Sequence, residues 1–122
     1  NGGIESMAHG HQLCAGLDGF YIGQATFGNP WIFSEQPPTQ FKDRVPLILR
    51  HAAYLIEHKG IRVGCCEIRK HLLAYVKGVH GAKALKKELV RVDSLASITE
   101  LLQQVIEQEE THVKNNSAYQ YA

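Results

Sequence analysis

From residue 43 onward, apolar residues recur every three or four positions, the period of helices with one buried face. Asp43 is placed to cap a helix running to about Lys59, with Val45, Ile48, Leu49, Ala52, Leu55 and Ile56 on one stripe and Gly60 as its stop. Pro46 falls in the first turn of that helix, where its missing N–H costs nothing. A second helix, about Val63 to Lys77, buries Ile68, Leu72, Tyr75 and Val76 and ends at Gly78. The third, about Ala82 to Val90, turns Leu85 and Leu89 inward and Lys83, Lys86 and Lys87 outward. The fourth starts at Ser94 or Ser97, with Ser97 and Glu100 as a capping-box pair, and carries Ile98, Leu101, Leu102, Val105 and Ile106 in register. Asn115 to Ala122 has no period and is expected to fray.

Residues 1–36 follow a different pattern. Asn1-Gly2-Gly3 is a turn, and Ser6 to Ala15 predicts a short helix with Met7, Leu13 and Cys14 as its buried side. Gly19-Phe20-Tyr21-Ile22-Gly23 is a β-branched and aromatic run between glycines, the pattern of a buried strand. Gln24 to Gly28 then starts a helical turn, and Pro30-Trp31-Ile32-Phe33 adds apolar bulk before the seam Gln36-Pro37-Pro38-Thr39. A lone strand leaves its backbone N–H and C=O groups unpaired, at roughly 1–3 kcal/mol for each buried one. Its partners are therefore expected outside these residues, which makes the chain the C-terminal piece of a larger α/β protein. Four helices over residues 40–122 can close a small bundle by themselves.

The chain has 122 residues, 44% of them apolar and 20% charged, the balance of a globular domain rather than a disordered one. Its apolar runs are far shorter than the roughly 20 residues of a membrane span. The start at Asn1 shows no leader pattern and reads as a cut end. Three cysteines, Cys14 and the adjacent Cys65 and Cys66, make neither a disulfide framework nor a zinc half-site, which fits a reducing cytoplasm. Cys65 and Cys66 read as small apolar residues of the second helix. His9 and His11 lack a third ligand, so no metal is expected. Trp31 and Tyr75 read as packing residues, and His71 as half-buried or nucleic-acid-facing.

The net charge of +1 hides a segregation. From Lys59 to Arg91 there are nine Lys or Arg against Glu67 and Glu88, a local +7, whereas Asp93 to Ala122 carries −4. Lysines on outer helix faces are commonly just solvated. Nine across three successive elements point instead to a polyanion, with Arg62, Arg69, Lys70, Lys77, Lys86 and Lys87 as one electrostatic footprint. Two glycine turns, Asn1-Gly2-Gly3 and Gly23-Gln24, bring backbone N–H groups within reach of an anion, although such turns are often no more than turns.

The order of these features resembles a known family. Asn1-Gly2-Gly3-Ile4 followed by Gly16-Leu17-Asp18-Gly19-Phe20-Tyr21-Ile22-Gly23-Gln24-Ala25-Thr26-Phe27-Gly28-Asn29-Pro30-Trp31-Ile32-Phe33 is similar to the last barrel repeats of the tRNA-dihydrouridine synthases. Arg69-Lys70-His71-Leu72-Leu73-Ala74-Tyr75-Val76-Lys77-Gly78 resembles the helical-domain signature of their bacterial B-type members. The resemblance implies a fold: an α/β barrel remnant, the last β/α repeats of a TIM barrel over residues 1–36, followed by an all-α four-helix tRNA-binding domain over 40–122. It implies a flavoprotein oxidoreductase that reduces uridine in tRNA to 5,6-dihydrouridine with FMN and NAD(P)H, needing the remainder of the barrel upstream of Asn1. Asn1, Gly2 and Gly3, with Gly23 and Gln24, would then hold the FMN phosphate. The family usually has Asp at the position of Gly3 and Arg at that of Gln24; Gln24 keeps an amide donor but lacks the cationic fork of arginine. The family's catalytic cysteine has no counterpart here, so no residue of this chain is expected to be catalytic and the chain alone is expected to be inactive. A non-enzymatic helical nucleic-acid-binding module is the alternative, and another phosphate-binding barrel enzyme a third reading.

Overall fold

The computed structural model describes residues 3–121, with side chains as far as His112. Helix α1 (Met7–Leu13) is followed by two 3₁₀ turns, Gln24–Thr26 and Pro30–Phe33, then by helices α2 (Phe41–Tyr75), α3 (Ala82–Leu89) and α4 (Leu95–Tyr121). α2 is two helical segments meeting at Gly60, whose φ of 84° and ψ of 162° interrupt the helix. Only a residue without a Cβ takes that backbone conformation readily. The stop predicted at Gly60 is therefore real, and it allows the second segment to turn back against α3 and α4.

The expected barrel remnant is absent. Among the described residues there is no strand and no sheet, and residues 19–23 form no regular element. The reason is local: three apolar residues with no neighbouring strand have no ladder to join. Phe20 packs instead on Gly10 of α1, where any Cβ would collide with its ring, and meets His11 edge-on at 5.2 Å. Tyr21 is 82% exposed. Met7 and Leu13, expected inside, are exposed, and Gly10 is the buried residue of α1. That helix is capped by Ser6, whose hydroxyl accepts from the His9 N–H at 3.0 Å, while His9 Nδ1 accepts from the Glu5 N–H at 3.1 Å.

The helical part follows its pattern closely. One core joins Phe41, Ile48 and Ala52 from the first segment of α2 to Ile68, Leu72, Tyr75 and Val76 from the second segment and its end. Leu85, Leu89 and Val92 from α3 and its exit, and Ile98, Leu101, Leu102 and Val105 from α4, complete it. Boundaries differ by a few residues. α2 starts at Phe41, two residues before Asp43, because Phe41 is 2% exposed and belongs to the core. Pro46 is consequently the sixth helical residue, beyond the first turn, and costs the helix one internal bond to the carbonyl of Lys42. α4 is capped by Ser94, which accepts from the Ser97 N–H at 3.1 Å, while Ser97 Oγ accepts from the Ser94 N–H at 3.2 Å. This reciprocal pair takes the place of the Ser97–Glu100 box. The helix continues to Tyr121, taking in residues 115–121, where the sequence shows no apolar period.

Candidate nucleic-acid interface

Helix periodicity decides where the cations go. Once Ile68 and Leu72 face the core, Arg62 and Lys70 must face outward, and both are exposed, as is Lys77 just past the last turn. Gly78, with φ of 80°, ends the segment there. On α3, burial of Ala82, Leu85 and Leu89 turns Lys83, Lys86 and Lys87 to solvent. α2 and α3 pack directly on each other, so the two cationic sets occupy neighbouring helices.

Two charges within this region are already committed. Lys59 Nζ bonds both oxygens of Glu67, at 2.8 and 3.0 Å, and that hydrogen bond, with the Lys59 charge, holds the Glu67 carboxyl below the usual carboxylate range. One of the two acids of the basic stretch is thereby neutralised, and the other cations keep their excess. Arg69 donates from Nε and Nη2 to the carbonyl of Val92, at 3.1 and 2.9 Å. Its guanidinium pins the α3–α4 connection to α2, a use that sequence spacing did not reveal.

Residues 27–33 dock on the second segment of α2, against His71, Ala74 and Tyr75. Gly28, at φ 74°, lies so close to Ala74 that an added Cβ would sit 2.6 Å from the Ala74 carbonyl carbon. Phe27 stacks on His71 at 4.5 Å, His71 meets His51 at 4.7 Å, and His51 Nδ1 is 3.0 Å from the Tyr75 hydroxyl. Trp31 packs edge-on against Tyr75, with the Arg44 guanidinium 5.8 Å above its ring. Trp31 and Tyr75 are thus packing residues, as their neighbours in sequence indicate. Burial lowers the pKa of both His51 and His71, and for His71 the neighbouring His51 and Lys70 add to the effect. Burial likewise raises the Tyr75 hydroxyl. Cys65 is buried, Cys66 exposed, and burial pushes the Cys65 thiol up.

Of the residues expected at a cofactor phosphate, Asn1 and Gly2 lie outside the described residues. Gly3 is exposed, and Gly23 and Gln24 are exposed together where the first 3₁₀ turn opens. Both the N–H and the hydroxyl of Thr26 bond to the Gly23 carbonyl, at 3.0 and 2.6 Å, which closes the turn, whose leading N–H groups have no acceptor within it. A Cβ at Gly23 would meet nothing within 4 Å. This donor set fits an anionic oxygen through N–H groups and a neutral amide, without a cation from Gln24.

The family model described as dihydrouridine synthase matches residues 1–111, nearly the whole chain. The chain belongs to the dihydrouridine synthase family. Among its relatives, a Mycobacterium tuberculosis protein named "Probable tRNA-dihydrouridine synthase" is 33% identical over 98 residues, covering 71% of this chain and 25% of that protein. A protein of the same name from Staphylococcus epidermidis is 31% identical over 106 residues, 84% of this chain and 32% of its own length. One from Aquifex aeolicus is 27% identical over 97 residues, 75% of this chain and 31% of its own length. The chain therefore spans between a quarter and a third of the length of these three relatives. No solved structure is significantly similar to it. Within the chain, the family match takes in both the glycine turn at Gly23 and the basic helices. No helix among the described residues is long and apolar enough to cross a membrane.

Proposed function

We propose that this chain is the tRNA-gripping part of a flavin-dependent tRNA-dihydrouridine synthase, and that the whole protein reduces uridine in tRNA to 5,6-dihydrouridine with NAD(P)H in the cytoplasm. Family membership over residues 1–111 carries the reading, and the cationic excess on α2 and α3 gives it physical content. Residues 1–36 belong with the flavin-binding unit, and residues 40–122 are the RNA-binding domain. Arg62, Lys70, Lys77, Lys86 and Lys87 contact tRNA phosphates, while Arg69 holds the α3–α4 connection that presents them. Such contacts set the orientation of the RNA and do not read its sequence.

Asn1, Gly2 and Gly3, with Gly23 and Gln24, hold the FMN phosphate through backbone N–H groups and the Gln24 amide. The bound flavin supplies the hydride that saturates the C5=C6 bond of uracil. Because Gln24 contributes no positive charge, this phosphate is held more weakly than arginine at that position would hold it.

The test is dihydrouridine formation on an unmodified tRNA transcript by the complete protein containing this segment, supplied with FMN and NADPH. Dihydrouridine is expected from the complete protein and none from the 122 residues alone. Untouched uridine with the complete protein, or full activity from the short chain, contradicts the proposal.

A further inference from the structure

The first segment of α2 presents Leu47, Arg50, His51 and Tyr54 on one face, at spacings of three, four and seven residues. Together with Pro30 from the front loop and Tyr75 from the second segment they line an open cavity of about 390 Å³. This lies within the 300–1,000 Å³ range common for small-ligand sites. The basic footprint does not use it, and no carboxylate lines it.

Its walls are chemically distinct. Tyr54 is 61% exposed, a high value for an aromatic ring, and rests against the His58 ring at 4.2 Å. Arg50 is exposed, and the one ion pair among the described residues, Lys59–Glu67, leaves it uncommitted. At the back, His51 and Tyr75 are joined through their polar atoms at 3.0 Å. Burial lowers the His51 pKa and so favours its neutral form, which offers a hydrogen-bonding edge. The cavity also borders the cationic strip: His51 touches His71, and the neighbouring Lys70 acts electrostatically on His71. An exposed aromatic ring, an arginine fork and an adjoining row of lysines together match an unpaired nucleotide. The base stacks on the ring and the phosphate meets the guanidinium.

We propose that this cavity receives one unpaired nucleobase of the bound tRNA, other than the uridine being reduced, stacked on Tyr54 with its phosphate on Arg50. The inference rests on the tRNA reading above. It separates from that reading because stacking carries no charge.

The experiment measures affinity of the chain for an unmodified tRNA transcript at several salt concentrations, comparing wild type with Tyr54→Ala, Tyr54→Phe, Arg50→Gln and the double reversal Lys70→Glu/Lys77→Glu. Tyr54→Ala is expected to weaken binding roughly 5- to 100-fold with the salt slope unchanged, and Tyr54→Phe to bind within about twofold of wild type. Arg50→Gln is expected to weaken binding and to reduce the salt slope by about one. Tyr54 is exposed, so its loss leaves the core intact. Wild-type affinity in Tyr54→Ala, alongside weakened binding in the double reversal, overturns the nucleobase site alone and leaves the cavity to a protein partner. No tRNA binding by wild type overturns both readings.

Discussion

His71 sits where the front loop and the helical core meet, stacked on Phe27 and in contact with His51. Burial lowers the pKa of both imidazoles, so the folded state resists protonation more than the unfolded chain does. The sign follows: stability is complete above the unfolded value of about 6.5 and declines as pH falls through it, levelling off below the folded pKa values. Urea unfolding of wild type at pH 7.5 and pH 5 is expected to show this loss. His71→Phe keeps an aromatic ring against Phe27 and removes one titrating group, so its loss between the two pH values is expected to be smaller. An identical pH dependence in that variant contradicts the assignment. Gly28 is the other residue on which the docking depends, since both its positive φ and the proximity of Ala74 exclude a side chain there.

Among elements, α2 is the one whose geometry rests on a single position. Gly60 combines φ 84° with ψ 162°, a conformation that costs other residues about 1–3 kcal/mol. Gly60→Ala is therefore expected to destabilise the chain by about that amount in denaturant unfolding. An unchanged midpoint would show that the two segments tolerate another angle. The stop at Gly60, the inward stripes of all four helical segments and the outward lysines of α3 were legible in the sequence because a 3.6-residue period sustained over two turns or more leaves few alternatives. The front segment was not. Phe20-Tyr21-Ile22 has β-forming composition, but composition cannot provide the neighbouring strands that a sheet needs, and in their absence Phe20 turns to Gly10. Equally illegible were contacts joining residues far apart in sequence, such as Phe27 with His71 or Arg69 with the Val92 carbonyl. Each partner there has an unremarkable local pattern. The Arg50–Tyr54 cavity left a faint signal, a polar and aromatic set at helical spacing beside the apolar stripe, which gains meaning only when Pro30 and Tyr75 close it.

The function proposed above assigns the molecule two tasks along its length. Its helical domain has a continuous core, against which the front segment packs the partly buried Trp31, whereas Met7, Leu13, Leu17, Tyr21, Phe27 and Phe33 all stand exposed within the first 36 residues. That contrast accords with a domain for holding RNA attached to a segment that belongs with the flavin-binding unit. The most direct test of the RNA-holding role is the salt dependence of tRNA affinity for this chain. If about four phosphates are neutralised, log affinity falls against log salt with a slope of about −3 to −4, and reversing Lys70 and Lys77 makes the slope shallower as well as weakening binding. A slope near zero, or an affinity indifferent to that double reversal, would contradict the account.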